Sequence, residues 1–390
     1  VSLQRIIASC IAVAALGVIC GCGSKPVIGV LLPMSGDAAT YGASMKNAIE
    51  MGVEGLSDGQ GGASQTTVVW ADSGSAPSTA ADGLRSLATE QGAKIVVSGT
   101  TSPEVEAMLE VFDHTDSVGL SPSATGVGLT KASKRFFRVL PSDDLEGRRA
   151  GRFLAEERDC STVAVITGLP DGDGIEKPFR EMFEQSLSGT VTERVAIDGD
   201  GWRQELETLV TTEPPDGVYV IGFAGQIAEV VGQLRAADYG GIICTTSALN
   251  SSAVIAEHAA ILENVYFPQP NFDLEDPRPL VQEFVTAYRS RYGHDPDIYA
   301  AHAYDAIRLA AQAVETASVY DTEVLRQTLQ FGITEFPGVT GVIRFNDYGD
   351  IHRNPIMFIV RDGRVRNFER FLKEEKKRIR DKLRELLTSG

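Results

Sequence analysis

PVIGVLLP (26–33) sets six apolar or small residues in a row between two prolines. A strand with one wet face alternates polar and apolar side chains. An unbroken apolar run belongs to a strand covered on both faces, as in a parallel sheet with helices above and below. The chain beyond it keeps that pattern. Residues 41–56 carry Met45, Ile49, Val53 and Leu56 on one helical face. TTVVWAD (66–72) reads as a second strand, and 78–92 as a helix with Ala81, Leu84 and Ala88 inward. AKIVVSG (93–99) is a third strand, and 103–113 a third helix with proline in its first turn. The short apolar stretches SVGLS and RFFRVL follow.

A second series then begins, with strands TVAVITG (162–168), VTERVAI (191–197), GVYVIGF (217–223) and GIICTTS (241–247). Helices fall between them near 174–187, 202–211 and 225–237. Two βαβ series predict an α/β protein with two open, mostly parallel sheets. A length of 390 residues suits two such domains. Open sheets of this kind bind ligands at the carboxyl ends of their strands. Residues 279–331 read as helical again, with Ala300, Ala303, Tyr304, Ile307 and Ala311 forming a stripe. GVIRFNDYGD (341–350) reads as a strand and an Asp-rich turn, and PIMFIVRDGRV (355–365) as a hairpin. The tail, 371–390, is a charged helix with Leu372, Ile379, Leu383, Leu386 and Leu387 roughly in line. It is either a solvated helix packed on its parent domain or a basic amphipathic strip that touches anionic lipid or a membrane partner.

A formal charge of −17 argues against a nucleic-acid partner, which needs basic faces. HExxH, G-x-S-x-G and the phosphate-loop pattern do not occur. DGDGIE (171–176) and DGDGWRQE (198–205) begin like calcium loops, but Ile175 and Trp202 stand where an oxygen ligand is required, so both read as turns. His114, His258, His294, His302 and His352 have no metal spacing. His302, Asp305 and Trp202 read as structural. The expectation from these motifs is no enzymatic activity, no metal and no cofactor.

Arg5 precedes IIASCIAVAALGVICGC (6–22), too short and wrongly flanked for a membrane span. Residues 1–21 read as a secretory signal. Ile19-Cys20-Gly21-Cys22 resembles a bacterial lipobox, which implies cleavage before Cys22, lipid on its sulfur and a short linker over 22–26. The chain would then be extracytoplasmic and lipid-anchored to a bacterial membrane. The other reading is a plain signal peptide with an incidental cysteine. Cys160 and Cys244 remain, which invites a disulfide. Their strands are not neighbours, so two buried thiols are expected instead.

Several stretches now resemble, in order and spacing, the periplasmic leucine/isoleucine/valine-binding proteins. They are IGVLLPMSGDAATYG (28–42), SGTTS (98–102), SPSAT (121–125), FRVLPSDDLEG (137–147), NVYFPQP (264–270), YAAHAYDAIRLAAQAV (299–314) and GVIRFNDYGD. The resemblance implies a type I periplasmic binding fold: two α/β lobes joined by three crossing segments, with a ligand cleft between them. Lobe one would be 27–141 and 271–350, and lobe two 142–270 and 351–370, with the charged helix 371–390 beyond. It further implies a monomeric receptor that hands a small ligand to the permease and ATPase of an ABC importer. The same fold also serves as a ligand-sensing domain that signals through a partner.

The resemblance places donors for a ligand carboxylate on lobe one: Thr101 and Ser102 of GTTS, and Ser123, the Ala124 backbone and Thr125 of SPSAT. Small hydroxyl residues at strand ends suit that task, because they bring N–H and O–H groups close without a formal charge. Tyr41 would line one wall of the cleft and Phe223 the other. Two positions depart from the family pattern. Amino acid binders generally hold the ligand ammonium with an acid of lobe two, and Ser247 stands there, without the charge that an ammonium wants. Asp171 stands where the family has an aromatic. It either replaces the missing acid or is a turn residue beside Gly172. An amino acid, an amide or another carboxylate all fit these residues.

Overall fold

The computed structural model describes residues 25–58, 66–168, 173–186, 189–197, 199, 201–351 and 353–388. The leader, Cys22, Asp171 and His352 lie outside the described residues.

Five parallel strands form the first sheet: β1 (Val27–Leu32), β2 (Thr67–Asp72), β3 (Ile95–Ser98), β4 (Val118–Ser121) and β5 (Phe136–Arg138). Their order is β2-β1-β3-β4-β5. The unbroken apolar run of β1 is explained by burial on both faces. Ile28 and Val30 meet Met45 and Ile49 of helix α1 (Ala39–Asp58). Leu31 meets Leu84 and Leu87 of α2 (Pro77–Thr89) and Met108 of α3 (Ser102–His114) on the other side. The short helix α4 (Leu129–Ala132) precedes β5.

The second sheet is built from α5 (Asp143–Arg152), β6 (Thr162–Thr167), α6 (Asp173–Gln185), β7 (Thr190–Ala196), α7 (Trp202–Thr212), β8 (Gly217–Ile221), α8 (Ala224–Ala236), β9 (Ile242–Thr245), α9 (Ser252–Leu262) and β10 (Val265–Gln269). The chain then returns to the first sheet with α10 (Pro279–Tyr292), α11 (Ile298–Thr316) and α12 (Thr322–Gln327), whose apolar faces join the core around β1. A small antiparallel pair follows, β11 (Phe336–Gly338) with β12 (Gly341–Ile343). The hairpin of β13 (Ile356–Arg361) and β14 (Arg364–Asn367) then closes the second sheet antiparallel to β10. That sheet runs β14-β13-β10-β9-β8-β6-β7. The body on each sheet is called a lobe below.

Three passages between the sheets follow β5, β10 and β12. The first and third are clamped together. Arg138, 1% exposed at the end of β5, forks onto both carboxylate oxygens of Asp350 and donates to the Gly126 carbonyl at 2.8 Å. Thr130 donates to Asp350 at 2.8 Å. Asp305, buried on α11, accepts from the N–H groups of Val339 and Thr340 at 2.8 and 2.9 Å and from the Thr340 hydroxyl at 2.7 Å. It fixes the turn into β12 and is structural, as is Trp202, buried at the start of α7.

Cys160 and Cys244 are free and buried, on either side of β8. The last helix, α13 (Phe368–Thr388), begins against the second lobe, where Phe368 packs with Phe153 and Tyr266. Farther along, Ile379, Leu383, Leu386 and Leu387 are exposed. Among the described residues, no helix is long and apolar enough to cross a membrane.

Candidate functional site

The carboxyl ends of β3 and β4 deliver the two small-residue turns side by side. The Ser123 hydroxyl donates to the Thr100 carbonyl at 2.8 Å, and the Gly126 N–H donates to Ser102 Oγ at 2.9 Å. The Ala124 N–H donates to Ser121 Oγ at 3.0 Å, and Ala124 is fully buried. Thr101 donates its N–H and hydroxyl to the Glu104 carboxylate at 2.8 and 2.6 Å, which caps α3. These bonds sort the expected donors. Thr101, Ser123 and the Ala124 N–H are spent holding the turns. Ser102 only accepts in that network, so its proton is available, and it is half-buried.

Thr125 reaches across to the other lobe. Its carbonyl accepts the Asp143 N–H at 2.9 Å, and its hydroxyl bonds the Asp143 carboxyl. Asp143 opens α5, and Glu146 lies one turn on, on the same face. The Glu146 carboxyl is bonded by Ser247 twice: from the N–H to Oε1 at 2.7 Å and between Oγ and Oε2 at 2.7 Å. Position 247, neutral in sequence, thus holds a carboxyl supplied by another element.

Aromatic rings face this pair. Tyr41 of α1 stands 4.6 Å from Tyr299 of α11, and 6.4 Å from Phe223, centroid to centroid. Its hydroxyl accepts the Ala224 N–H at 3.0 Å, at the first turn of α8, so the two lobes touch through Tyr41. Phe223 remains 43% exposed, at the residue that precedes α8.

The electrostatics are one-sided. Burial, then the neighbouring Asp143 carboxyl, pushes Glu146 up to about 8, against the pull of its two bonds from Ser247. Burial also raises Asp143, opposed by Thr125 and Arg138. Arg138 is itself tied to Asp350. Burial raises the Tyr299 hydroxyl, and Tyr41, Asp297, Glu146 and Asp143 add to the effect. Among the described residues no lysine or arginine forms an ion pair with Asp143 or Glu146. No group of three or more His, Cys, Asp or Glu residues among them could hold a metal ion. His302 is buried, with Nδ1 at 2.9 Å from the Ile298 carbonyl, and burial lowers it to about 3.

Residues 26–363 match the sequence pattern of the periplasmic binding proteins. The chain belongs to that family. Its sequence is 23% identical over 326 residues to the leucine-, isoleucine-, valine-, threonine- and alanine-binding protein of Pseudomonas aeruginosa, covering 82% of this chain and 85% of the relative. Its fold is similar to that of a branched-chain amino acid transporter substrate-binding protein from Streptococcus pneumoniae, solved with isoleucine. The TM-score is 0.80 at 24% identity, over 87% of this chain and 97% of the other. A solute-binding protein from Rhodopseudomonas palustris, solved with benzoate, matches with a TM-score of 0.77 at 20% identity, over 88% and 95%. The type I periplasmic binding fold expected from the sequence is therefore present.

For this periplasmic binding protein, the residues that sequence reasoning missed are Asp143, Glu146 and Tyr299. A signal for Glu146 existed. It precedes Gly147, Ala150, Gly151 and Leu154, a buried stripe, and a carboxyl on such a stripe needs a partner. Ser247, 101 residues away, is invisible as that partner until the sheet is assembled.

Proposed function

We propose that this chain is the extracytoplasmic substrate-binding lipoprotein of an ABC importer, tethered through Cys22. It captures a small amino acid, or a related carboxylate or amide, between lobes 27–141 plus 271–350 and 142–270 plus 351–370, which close about their crossings. The observation that carries this reading is the opposition of unlike chemistry across the lobes. Ser102 and Thr125 stand on one side, Glu146 and Ser247 on the other, and Tyr41, Phe223 and Tyr299 provide apolar walls. A ligand that bridges both sides favours the closed arrangement.

The test is a thermal-shift panel on the chain from Gly23, stripped of co-purified ligand by unfolding and refolding. The panel holds the amino acids, short amides and simple carboxylates, benzoate included. A saturable shift with one chemical class supports the reading. No shift across the panel contradicts it. A ligand-sensing role is favoured by a separate feature, the exposed apolar face of α13. Deleting 371–390 leaves ligand affinity unchanged under both readings, and removes binding to a partner only if this helix docks.

A further inference from the structure

The last helix, α13, leaves the body on which it starts. Its root is held by ion pairs: Arg366 of β14 meets Glu374 at 2.6 Å, and Arg370 meets Asp273 at 2.8 Å. Arg361 and Arg366 lie over the Phe371 ring. Beyond Glu375 the helix continues to Leu387, a reach of about 18 Å at 1.5 Å per residue. Along that stretch Ile379, Leu383, Leu386 and Leu387 are 55–83% exposed. Short helices owe most of their stability to the packing of one amphipathic face. Here that face is turned to solvent, and no helix among the described residues is long and apolar enough to cross a membrane.

The charges beside that face are sorted. At about 100° per residue, Leu372, Ile379, Leu383 and Leu386 share one stripe of the helix. Lys373, Lys376, Lys377, Arg380 and Arg384 fill the flank on one side of it. Among the described residues from Lys373 onward, no acid stands on that flank. Glu374, Glu375, Asp381 and Glu385 all fall on the other flank or the back, where Glu375 pairs with Arg378 at 2.6 Å. We propose that α13 lays this face on an anionic lipid surface, its leucines at the headgroup boundary and its basic flank on the lipid phosphates. Lys376 and Lys382 border the stripe, so their stems lie along the acyl boundary while their ammonium groups reach the phosphates. The chain as a whole carries −17, so such a surface repels the body. Salt confines that repulsion to about 8 Å, well inside the reach of the helix. A second copy of the chain fits the face less well. Paired in parallel, Lys376 meets its own counterpart in the seam; paired antiparallel, the basic flank meets itself.

The experiment is co-sedimentation of the chain from Gly23, which keeps every described residue and carries no lipid of its own. The probes are vesicles of about three parts phosphatidylglycerol to seven of phosphatidylcholine, and vesicles of phosphatidylcholine alone, at about 50 and 500 mM salt. The expected result is binding to the anionic vesicles about tenfold or more tighter than to the neutral ones, weakening as salt rises. Lys376→Gln, Arg380→Gln and Arg384→Gln together weaken it by about 100-fold, at about fivefold for each cation near the surface. Ile379→Gln with Leu383→Gln weakens it by about tenfold or more. Both variants keep the melting temperature of the parent, because the altered side chains are exposed, which separates a lost surface from a lost fold. Equal binding to the two vesicles, normal binding by either variant, or silence toward both vesicles overturns the inference. So does a dimer of the vesicle-free chain, seen by light scattering, that Ile379→Gln with Leu383→Gln makes monomeric, because a second copy then covers the face. The ligand-binding reading stands or falls separately, by the panel above.

Discussion

Gly147 is the position where helix packing meets the Glu146–Ser247 contact. It follows Glu146 on α5 and lies against α6 so closely that a Cβ would sit 2.2 Å from the Ile175 carbonyl oxygen and 3.1 Å from the Phe179 nitrogen. Carbon and oxygen rest about 3.3 Å apart. Gly147→Ala must therefore drive the two helices apart by about 1 Å, since neither obstacle is a movable side-chain end. Overpacking of this kind costs about 1–3 kcal/mol. The better helix propensity of alanine returns up to about 1 kcal/mol. The net loss of about 1–2 kcal/mol lowers the melting temperature by roughly 2–8 °C in a lobe of this size. The same shift carries Glu146 away from Ser247. Bonds of 2.7 Å lengthened by that amount cease to be hydrogen bonds, so ligand affinity falls as well. The assay is scanning calorimetry with and without the best ligand of the panel. Gly55→Ala is the control, because it sits in α1 with nothing within 4 Å of the added Cβ. It gains helix propensity alone and keeps or raises the melting temperature. A Gly147→Ala protein with unchanged melting and affinity, or a Gly55→Ala protein that falls as far, refutes the reasoning.

Other perturbations have equally definite outcomes. Arg138→Met leaves the half-buried Asp350 with Thr130 alone and costs about 2–3 kcal/mol, read from the urea midpoint; a loss below about 1 kcal/mol would show that the clamp is not structural. Glu146 binds a proton in the folded protein up to about pH 8, whereas the unfolded group ionises near its ordinary value of 4.5. Its stabilising share is thus full below pH 4.5 and lost as pH rises through 8. Glu146→Gln, which stays neutral, is accordingly more thermostable than the parent at pH 8, with the gap closing toward pH 4.5; an equal gap at both ends contradicts the assignment. Burial raises the Cys160 thiol to about 11 and the Cys244 thiol further still. The native chain from Gly23 therefore resists iodoacetamide at pH 8, and the urea-unfolded chain takes up two equivalents.

The fold was legible where burial on both faces leaves a continuous apolar run. PVIGVLLP, TVAVITG and GVYVIGF each contain a strand of one of the two sheets, and the helices between them lie within a few residues of the expected ranges. The hairpin at 355–365 is also present, as β13 and β14. Less was legible where local bonds compete with the ladder. GVIRFNDYGD yields only a three-residue strand, because the Asn346 side chain accepts from the N–H groups of Tyr348 and Asp350 and closes a turn. Its partner β11, which contains Pro337, gave no strand signal. The site was half legible. Residue type drew attention to 101–102 and 121–125, but not to which hydroxyls the turns would consume. Ser247 was noticed for the charge it lacks. Glu146, in a helix that the sequence did not announce, could be connected to it only through the second sheet.

The central claim is a small ligand held between the two lobes. A crystal structure of the chain with the tightest-binding member of the panel tests it most directly. The expected result is a ligand that touches Ser102 on one lobe and the Glu146–Ser247 pair on the other, with an apolar portion against Tyr41 or Phe223. A ligand that touches one lobe alone contradicts the claim, as does one lodged in the separate pocket lined by Asn250, Phe272 and His294.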